Sequence, residues 1–292
     1  LNTYETITNR IIDALEAGVI PWRKEWRTSG KTSGLPYNLI SGLPYRGINV
    51  FSLLCSPYSS NGWATYKQAQ SKGYQVRKGE KASPVVFWKF PSKEKIAEGK
   101  EFPFARIYSV FNVEQMDGVP VELPFEGVTF DPLESCDTVV SAFMGSASHP
   151  TLGHGGDKAY FQPSTDHVQM PTRESFNSAG GYYATLFHEF AHSTGIKTRL
   201  NRPELQSMKG FGDEDYSKEE LTAEFAAAFL CAETGCSNEE RVTNSVAYIQ
   251  GWLRKLKNDT AMAVQAAQRA QKAAEFILLR KSIAATSEEV AA

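Results

Sequence analysis

The sequence predicts an α+β chain in two parts, a small basic α+β domain followed by a mostly helical domain. Charge is the first observation behind this reading. Residues 1–110 carry 16 Lys+Arg against 8 Asp+Glu, a net of +8, which leaves 15 against 25, or −10, for the remainder. The second is periodicity: strand-like alternation marks residues 84–90 and 104–113, whereas long stretches of helical spacing crowd the second half. The third is punctuation, because Gly118, Pro120, Pro124 and Gly127 cluster where the charge changes sign. A chain of 292 residues, 41% hydrophobic and 12% aromatic, suits two ordinary domains. Their expected bounds are 1–115 and 131–292, with a linker at 116–130.

Several classes are set aside at once. No apolar run approaches the roughly 18 residues of a membrane span, and Leu1 to Ile20 is a mixed amphipathic segment without a signal-peptide core, so no membrane partner is expected. Cys55, Cys136, Cys231 and Cys236 form no CxxC pair, which argues against a cysteine zinc site or a disulfide scaffold and suits a reducing cytoplasm. The chain opens on Leu1 in place of Met, from which a trimmed start is expected.

In chain order, Ile7, Ile11, Ile12 and Leu15 fall on one helical face, ended by Gly18 and Pro21. PWRKEW follows at 21–26, and its mixture of rings and cations returns at Tyr45 to Asn49, Trp63 to Gln68 and Val85 to Phe90. Single-stranded nucleic acid is bound by this combination, rings stacking on bases while Lys and Arg track the phosphates. The candidates are Trp22, Arg23, Trp26, Arg46, Asn49, Trp63, Lys67, Lys78, Lys81 and Lys89, with Arg77 extending the track around Gly79. Against this stands the tendency of tryptophans in a domain of this size to sit in the core. Trp88, inside an apolar strand pattern, is expected half-buried, whereas Trp22 and Trp26, among charges, are expected as stacking platforms.

In the second part Thr138 to Met144 opens a helix, and the Gly- and Pro-rich stretch His149 to Asp157 reads as a loop. Residues 159–161 and 167–170 read as strands joined by Pro-Ser-Thr-Asp, a hairpin whose edge is the candidate for pairing with an extended substrate. TLFHEFAHSTG at 185–195 then places His188 and His192 one turn apart on one helical face, within reach of a single zinc ion. Glu189 beside them can take a proton from water activated by the metal, so peptide hydrolysis is the expected chemistry. A third ligand is required. Glu224 projects from SKEELTAEFAAAFLC, a segment apolar or small after Glu220, and a buried acid is costly unless paired or metal-bound. Glu224 is therefore assigned as the ligand, with Glu220 behind it orienting a histidine; the reverse assignment is the alternative, and Glu219 reads as a surface acid. His149, His154 and His167 lack a partner at metal spacing and read as polar surface groups. Residues 197–216 read as a long connecting loop over the site, with Arg199 in a salt bridge. Val246, Ile249, Trp252, Leu253 and Leu256 mark one further helix and residues 261–279 another.

These stretches together resemble the ArdC-type antirestriction proteins of conjugative plasmids. PWRKEW, YRGIN, WATYKQAQ followed by GYQVRKGEK, and VFNVEQMDG carry the resemblance in the first part, which is also similar to the N-terminal domain of TraC-type plasmid primases. HEFAHSTG, RLNR and YSKEELTAEFAAAFL carry it in the second, where they resemble a zincin-like metallopeptidase domain. The resemblance implies single-stranded DNA binding by the first domain, a metallopeptidase fold for the second, and protection of incoming plasmid DNA from host restriction during conjugation. Zinc is the expected cofactor, with another divalent metal such as Mn2+ as the alternative, and a host protein is a candidate substrate. Two other readings stand beside this one: a single-stranded DNA-binding protein whose metal is structural or vestigial, and a metallopeptidase whose basic domain recruits an acidic protein.

Overall fold

A computed structural model describes residues 2–23, 34–89, 104–120, 132–207, 214–236 and 246–280. The first part runs α1 (Thr3–Glu16), β1 (Tyr37–Asn38), α2 (Ile48–Leu54), β2 (Gly62–Thr65), α3 (Tyr66–Ser71), β3 (Gln75–Val76), β4 (Ser83–Lys89), β5 (Phe104–Asn112) and β6 (Met116–Asp117). The second runs α4 (Pro132–Met144), β7 (Thr151–His154), β8 (Tyr160–Gln162), β9 (His167–Met170), α5 (Ala179–Ser193), α6 (Pro203–Ser207), α7 (Glu214–Thr234), α8 (Val246–Asn258) and α9 (Met262–Ile277). The α+β class predicted from the sequence is the one observed.

Local chemistry explains the starts of these elements. Asn2 and Glu5 close a capping box on α1, each side chain meeting the other's backbone N–H at 2.9 Å. The stripe Ile7, Ile11, Ile12 and Leu15 is buried, as its spacing requires. Thr65 and Gln68 close a second box on α3. The two expected strands pair antiparallel as β4 and β5, with Val85 opposite Tyr108, at one edge of a sheet ordered β1-β2-β5-β4.

Two expectations need correction. Met116–Asp117, placed in the linker, pairs with Gln75–Val76 as a strand of the first part, while residues 121–131 lie outside those described. The expected loop at 149–157 contains β7, which runs parallel to β9 from Thr151↔His167 to His154↔Met170. Gly153 read as a loop breaker, yet a Cβ there would come within 2.9 Å of the His167 ring. Its role is close approach within a strand. The hairpin of β8 and β9 forms as expected, leaving β8 as an edge strand beside α5.

One core runs through both parts. Phe51 from α2 stacks within 4.0 Å of Phe225 and 5.1 Å of Phe229, ring centre to ring centre, and Trp22 meets Phe225 at 5.2 Å. Ala226, Ala227 and Ala228 on α7 and Ala266, Ala267 and Ala270 on α9 are all buried, and small side chains at these positions let the two helices approach closely. Among the described residues no helix is long and apolar enough to cross a membrane.

Candidate metal centre

Helix α5 starts at Ser178, whose hydroxyl accepts from the Gly181 N–H at 3.0 Å, and past Gly180 and Gly181 in its first turn it runs without a breaker to Ser193. This carries His188, Glu189 and His192 into a nearly sealed interior; none is more than 8% exposed. The two Nε2 atoms lie 3.1 Å apart. From α7, Glu220 brings one carboxylate oxygen to 3.4 Å from His192 Nε2 and the other to 3.6 Å from His188 Nε2. One ligand atom from each of His188, His192 and Glu220 thus lies within 4.8 Å of the others.

Behind His192 stands a residue that the sequence reading misjudged. Glu219, expected at the surface, is fully buried and holds His192 Nδ1 at 3.1 Å. Arg202 fixes Glu219 in turn, donating through Nε at 2.8 Å and Nη2 at 2.5 Å. The same guanidinium reaches the Ala191 carbonyl and the Thr194 hydroxyl, each at 2.7 Å, satisfying the end of α5. Gly195 allows this, since a Cβ would stand 2.7 Å from Arg202 Nη2. The second arginine of RLNR was the available signal.

The geometry gathers Glu220, and not the expected Glu224, with the two histidines. One turn beyond Glu220, the Glu224 carboxylate faces Arg23 at 3.4 Å, both side chains 9% exposed, and the Arg23 guanidinium lies 4.1 Å from the centre of the Tyr248 ring. The argument that a buried acid needs a partner was sound; the partner is an arginine from the first part. Glu219 takes the orienting role given to Glu220.

Charge within the cluster is strongly coupled. Burial works against the His192 imidazolium, but hydrogen bonds to Glu219 and Glu220 push it up to about 10. Burial would likewise raise Glu219, yet Arg202 holds it down to about 2, and the two histidines hold Glu220 far below the ordinary carboxylate range in the same way. Tyr216, one turn before Glu220, is pushed up to about 12 by burial and by Glu220, with Glu189 adding to the effect. No sequence argument singled it out. The donor set fits a divalent cation: two imidazole Nε2 atoms and a carboxylate converge, and Glu219 on Nδ1 leaves the His192 Nε2 lone pair facing inward. His149, His154 and His167 stand outside the group; His154 Nε2 meets the Tyr182 hydroxyl at 2.8 Å. Arg199 forms the expected salt bridge, a two-point contact with Asp166 at 2.7 and 2.8 Å. Residues 197–216 are no plain loop: α6 and the buried Arg202 lie within them, and 208–213 fall outside the described residues.

The candidates for nucleic acid fare unevenly. Trp22 is wholly buried against Phe225 and Trp252 and donates to the Tyr248 hydroxyl at 3.2 Å, so it is no stacking platform. Arg23 is taken by Glu224, and Arg46 is paired with Glu275 on α9. Asn49 is buried and bonds the Val86 backbone twice at 2.7 Å, acting as a strand would. Trp63 is buried with its ring edge-on to Tyr58. Lys67, Lys78 and Lys81 are exposed, together with Lys72 and Arg106. Trp26 and the Lys89 side chain lie outside the described residues. In each failed case the core, a neighbouring strand or a partner in the second part claims the group.

Known proteins share this arrangement. Residues 1–111 match the family described as the N-terminal domain of anti-restriction factor ArdC, and residues 139–269 match the zincin-like metallopeptidase family. A DNA primase TraC of Escherichia coli is 35% identical over 94% of this chain, though the chain spans only 27% of that primase. Protein y4eC of Sinorhizobium fredii is 38% identical, with 98% of this chain and 94% of its own length aligned. Among solved structures, the antirestriction ArdC protein from the R388 plasmid is 37% identical in both its Mn(II)-bound form, at a TM-score of 0.73, and its metal-free form, at 0.74. Either comparison covers 95% of this chain and 97% of the R388 protein, and with a zincin-like second part and an ArdC-type first part aligned over nearly their whole length, the chain belongs to the ArdC antirestriction family.

Proposed function

We propose that the chain binds single-stranded DNA through its first part and hydrolyses peptide bonds at the α5–α7 centre, protecting incoming plasmid DNA from restriction during conjugation. Zinc is the expected metal and manganese the alternative. The observation that carries the reading is the convergence of His188, His192 and Glu220 beside Glu189, with the rear of His192 held by Glu219.

A bound dication would supply Lewis-acid charge at this point. His188, His192 and Glu220 would hold it, and the Glu219–Arg202 pair fixes the ring and tautomer of His192. Glu189 accepts the proton of the attacking water at its carboxylate and returns it to the departing amine. Tyr216, kept neutral by its raised pKa, remains a donor at the rim near Glu220 and Glu189. β8 offers an open edge beside α5 on which an extended peptide can add as a strand. For DNA, support comes from the ArdC-type first part and from the exposed Lys67, Lys72, Lys78 and Lys81.

The test compares wild type and Glu189→Ala in conjugation into a restricting host, run beside a gel shift with a single-stranded oligonucleotide. The hydrolytic reading requires Glu189→Ala to bind DNA normally and lose protection. Retained protection would mean that coating the strand suffices.

A further inference from the structure

With Arg23 and Arg46 committed to the second part, much of the basic character left in the first gathers in one segment. Residues 66–81 carry Lys67, Lys72, Arg77, Lys78 and Lys81 against Glu80, a net of +4 and half of the +8 of residues 1–110. The segment stands on a small core of its own: Ala69 of α3, Val76 of β3 and Met116 of β6 are buried together with Ala64. Gln68 is buried as well, accepting from the Asn38 amide at 3.1 Å. The rest of α3, Tyr66, Lys67, Gln70 and Ser71, is exposed, and so are the three lysines that follow it. Acids beside the segment are already engaged. Glu80 and Asp117 both meet Arg77, at 3.0 and 3.5 Å, and one oxygen of Glu114 accepts from the Ser59 and Ser60 N–H groups at 2.7 and 2.6 Å. Among the described residues no acid pairs with Lys67, Lys72, Lys78 or Lys81.

A free ring stands at the head of these free cations. Trp22 and Trp63 are buried, and Trp88 is half-buried with its ring 5.4 Å from that of Tyr4. Tyr66 is 47% exposed, and among the described residues its side chain has neither a ring contact nor a hydrogen-bond partner. Lys67 is its neighbour in sequence and Gln70 lies one turn along the helix. Four unpaired cations attract a polyanion of any kind. An open aromatic face narrows the choice, because an acidic peptide offers charge without a flat ring, and a duplex keeps its bases stacked on one another. A single strand offers both phosphates and unpaired bases.

Resting on the single-stranded DNA reading of the first part, we propose that residues 66–81 carry the strand. Tyr66 stacks on one of its bases, and Lys67, Lys72, Lys78 and Lys81 meet the adjoining phosphates.

The test titrates the full chain into a fluorescein-labelled single-stranded oligonucleotide and into the duplex of the same sequence, reading anisotropy over a range of salt. Tyr66→Ala is expected to weaken single-strand binding by about 5- to 150-fold, the worth of one stacked base, with the salt slope and the duplex affinity unchanged. Tyr66→Phe, which keeps the ring, should bind as wild type does. Lys67→Ala and Lys72→Ala in one chain should lower the slope of log affinity against log salt by about 1.4, the value for two phosphate contacts on a single strand. A strand carrying 5-iodouracil, irradiated in complex with the wild-type protein, should crosslink to Tyr66, as read by mass spectrometry of the digest; this readout needs no variant to fold. Wild type that binds the single strand while Tyr66→Ala binds it equally well overturns the inference and leaves the single-strand reading standing. Wild type that binds no single strand sinks both. Equal losses on single strand and duplex in Tyr66→Ala would make the residue a backbone contact, and crosslinks confined to residues outside 66–81 would put the strand elsewhere; either result overturns the inference.

Discussion

The α5–α7 centre and the seam between the two halves are built from the same materials, buried acids and bases among aromatic rings, and they use them differently. Across the seam each sign meets its opposite: Arg23 faces Glu224, and Arg46 faces Glu275. At the centre Glu219 and Glu220 meet the two histidines, Glu189 adjoins His188 on α5, and among the described residues Arg202 is the arginine bonded to these acids, on Glu219. A matched pair is a fastening. An excess of acid gathered on a pair of imidazoles is what a dication neutralises.

The largest expected effect tests whether that excess performs chemistry. Glu189→Ala should lower peptide cleavage by roughly a hundred- to ten-thousand-fold, the usual range for a lost general base, while metal content by atomic absorption stays at the wild-type level. Equal cleavage by variant and wild type would reduce the centre to another fastening.

Stability separates the regions next. Arg202→Met takes the guanidinium from the fully buried Glu219, and Arg23→Met takes one from Glu224; breaking a buried pair from one side costs about 3–5 kcal/mol, with Arg23 at the lower end because its contact is longer, 3.4 Å. Urea unfolding of the metal-free proteins measures both losses. Only Arg202→Met should also weaken metal binding, because only Glu219 stands behind a ligand.

Metal affinity itself distinguishes three neighbouring acids of α7. Glu219→Gln should weaken metal binding by about 10–100-fold, the cost of removing an outer partner from a ligating histidine. Glu220→Gln should cost more than that, and Glu224→Gln should leave the affinity unchanged. The opposite order for Glu220 and Glu224 would restore the assignment first drawn from the sequence. pH acts on the same cluster in opposite senses with and without metal. The pKa of His192 is raised from 6.5 to about 10, so the stability its imidazolium contributes to the metal-free protein is complete below 6.5 and lost as pH rises toward 10. Metal binding must displace that proton, so affinity should rise about tenfold per pH unit through the same window. Calorimetry in two buffers of different ionisation enthalpy counts the proton released.

The contrast also marks what the sequence could disclose. His188, Glu189 and His192 were legible because a helix converts a spacing of four into a shared face without outside help. Glu220 and Glu224 occupy the same face one turn apart, and the choice between them is made by Arg23, 201 positions away in the chain. Glu219 read as surface for a similar reason: Arg202, which makes its burial tolerable, arrives from α6's approach and not from α7. PWRKEW misled because charge on both sides of Trp22 suggests solvent, whereas the short turn Pro21–Arg23 delivers the ring to Phe225 and Trp252. The charge split of +8 and −10 pointed to an anionic partner, and part of that partner is the chain's own second half.

The smallest expected effect shows how much of the basic character is left for DNA. Lys78 and Lys81 are exposed, and Arg77 beside them is engaged by Glu80 at 3.0 Å and Asp117 at 3.5 Å. Lys78→Ala and Lys81→Ala should each weaken binding of a single-stranded oligonucleotide modestly and regardless of sequence, and each should reduce the slope of log affinity against log salt by about 0.7, the value for one phosphate contact on a single strand. Trp22→Phe should leave both affinity and slope unchanged and show its effect in unfolding, since its ring is committed to the seam. A larger DNA defect in Trp22→Phe than in the lysine variants would mean that the strand is read by a form in which the seam has opened, and Arg23 and Arg46 would then return to the phosphate track.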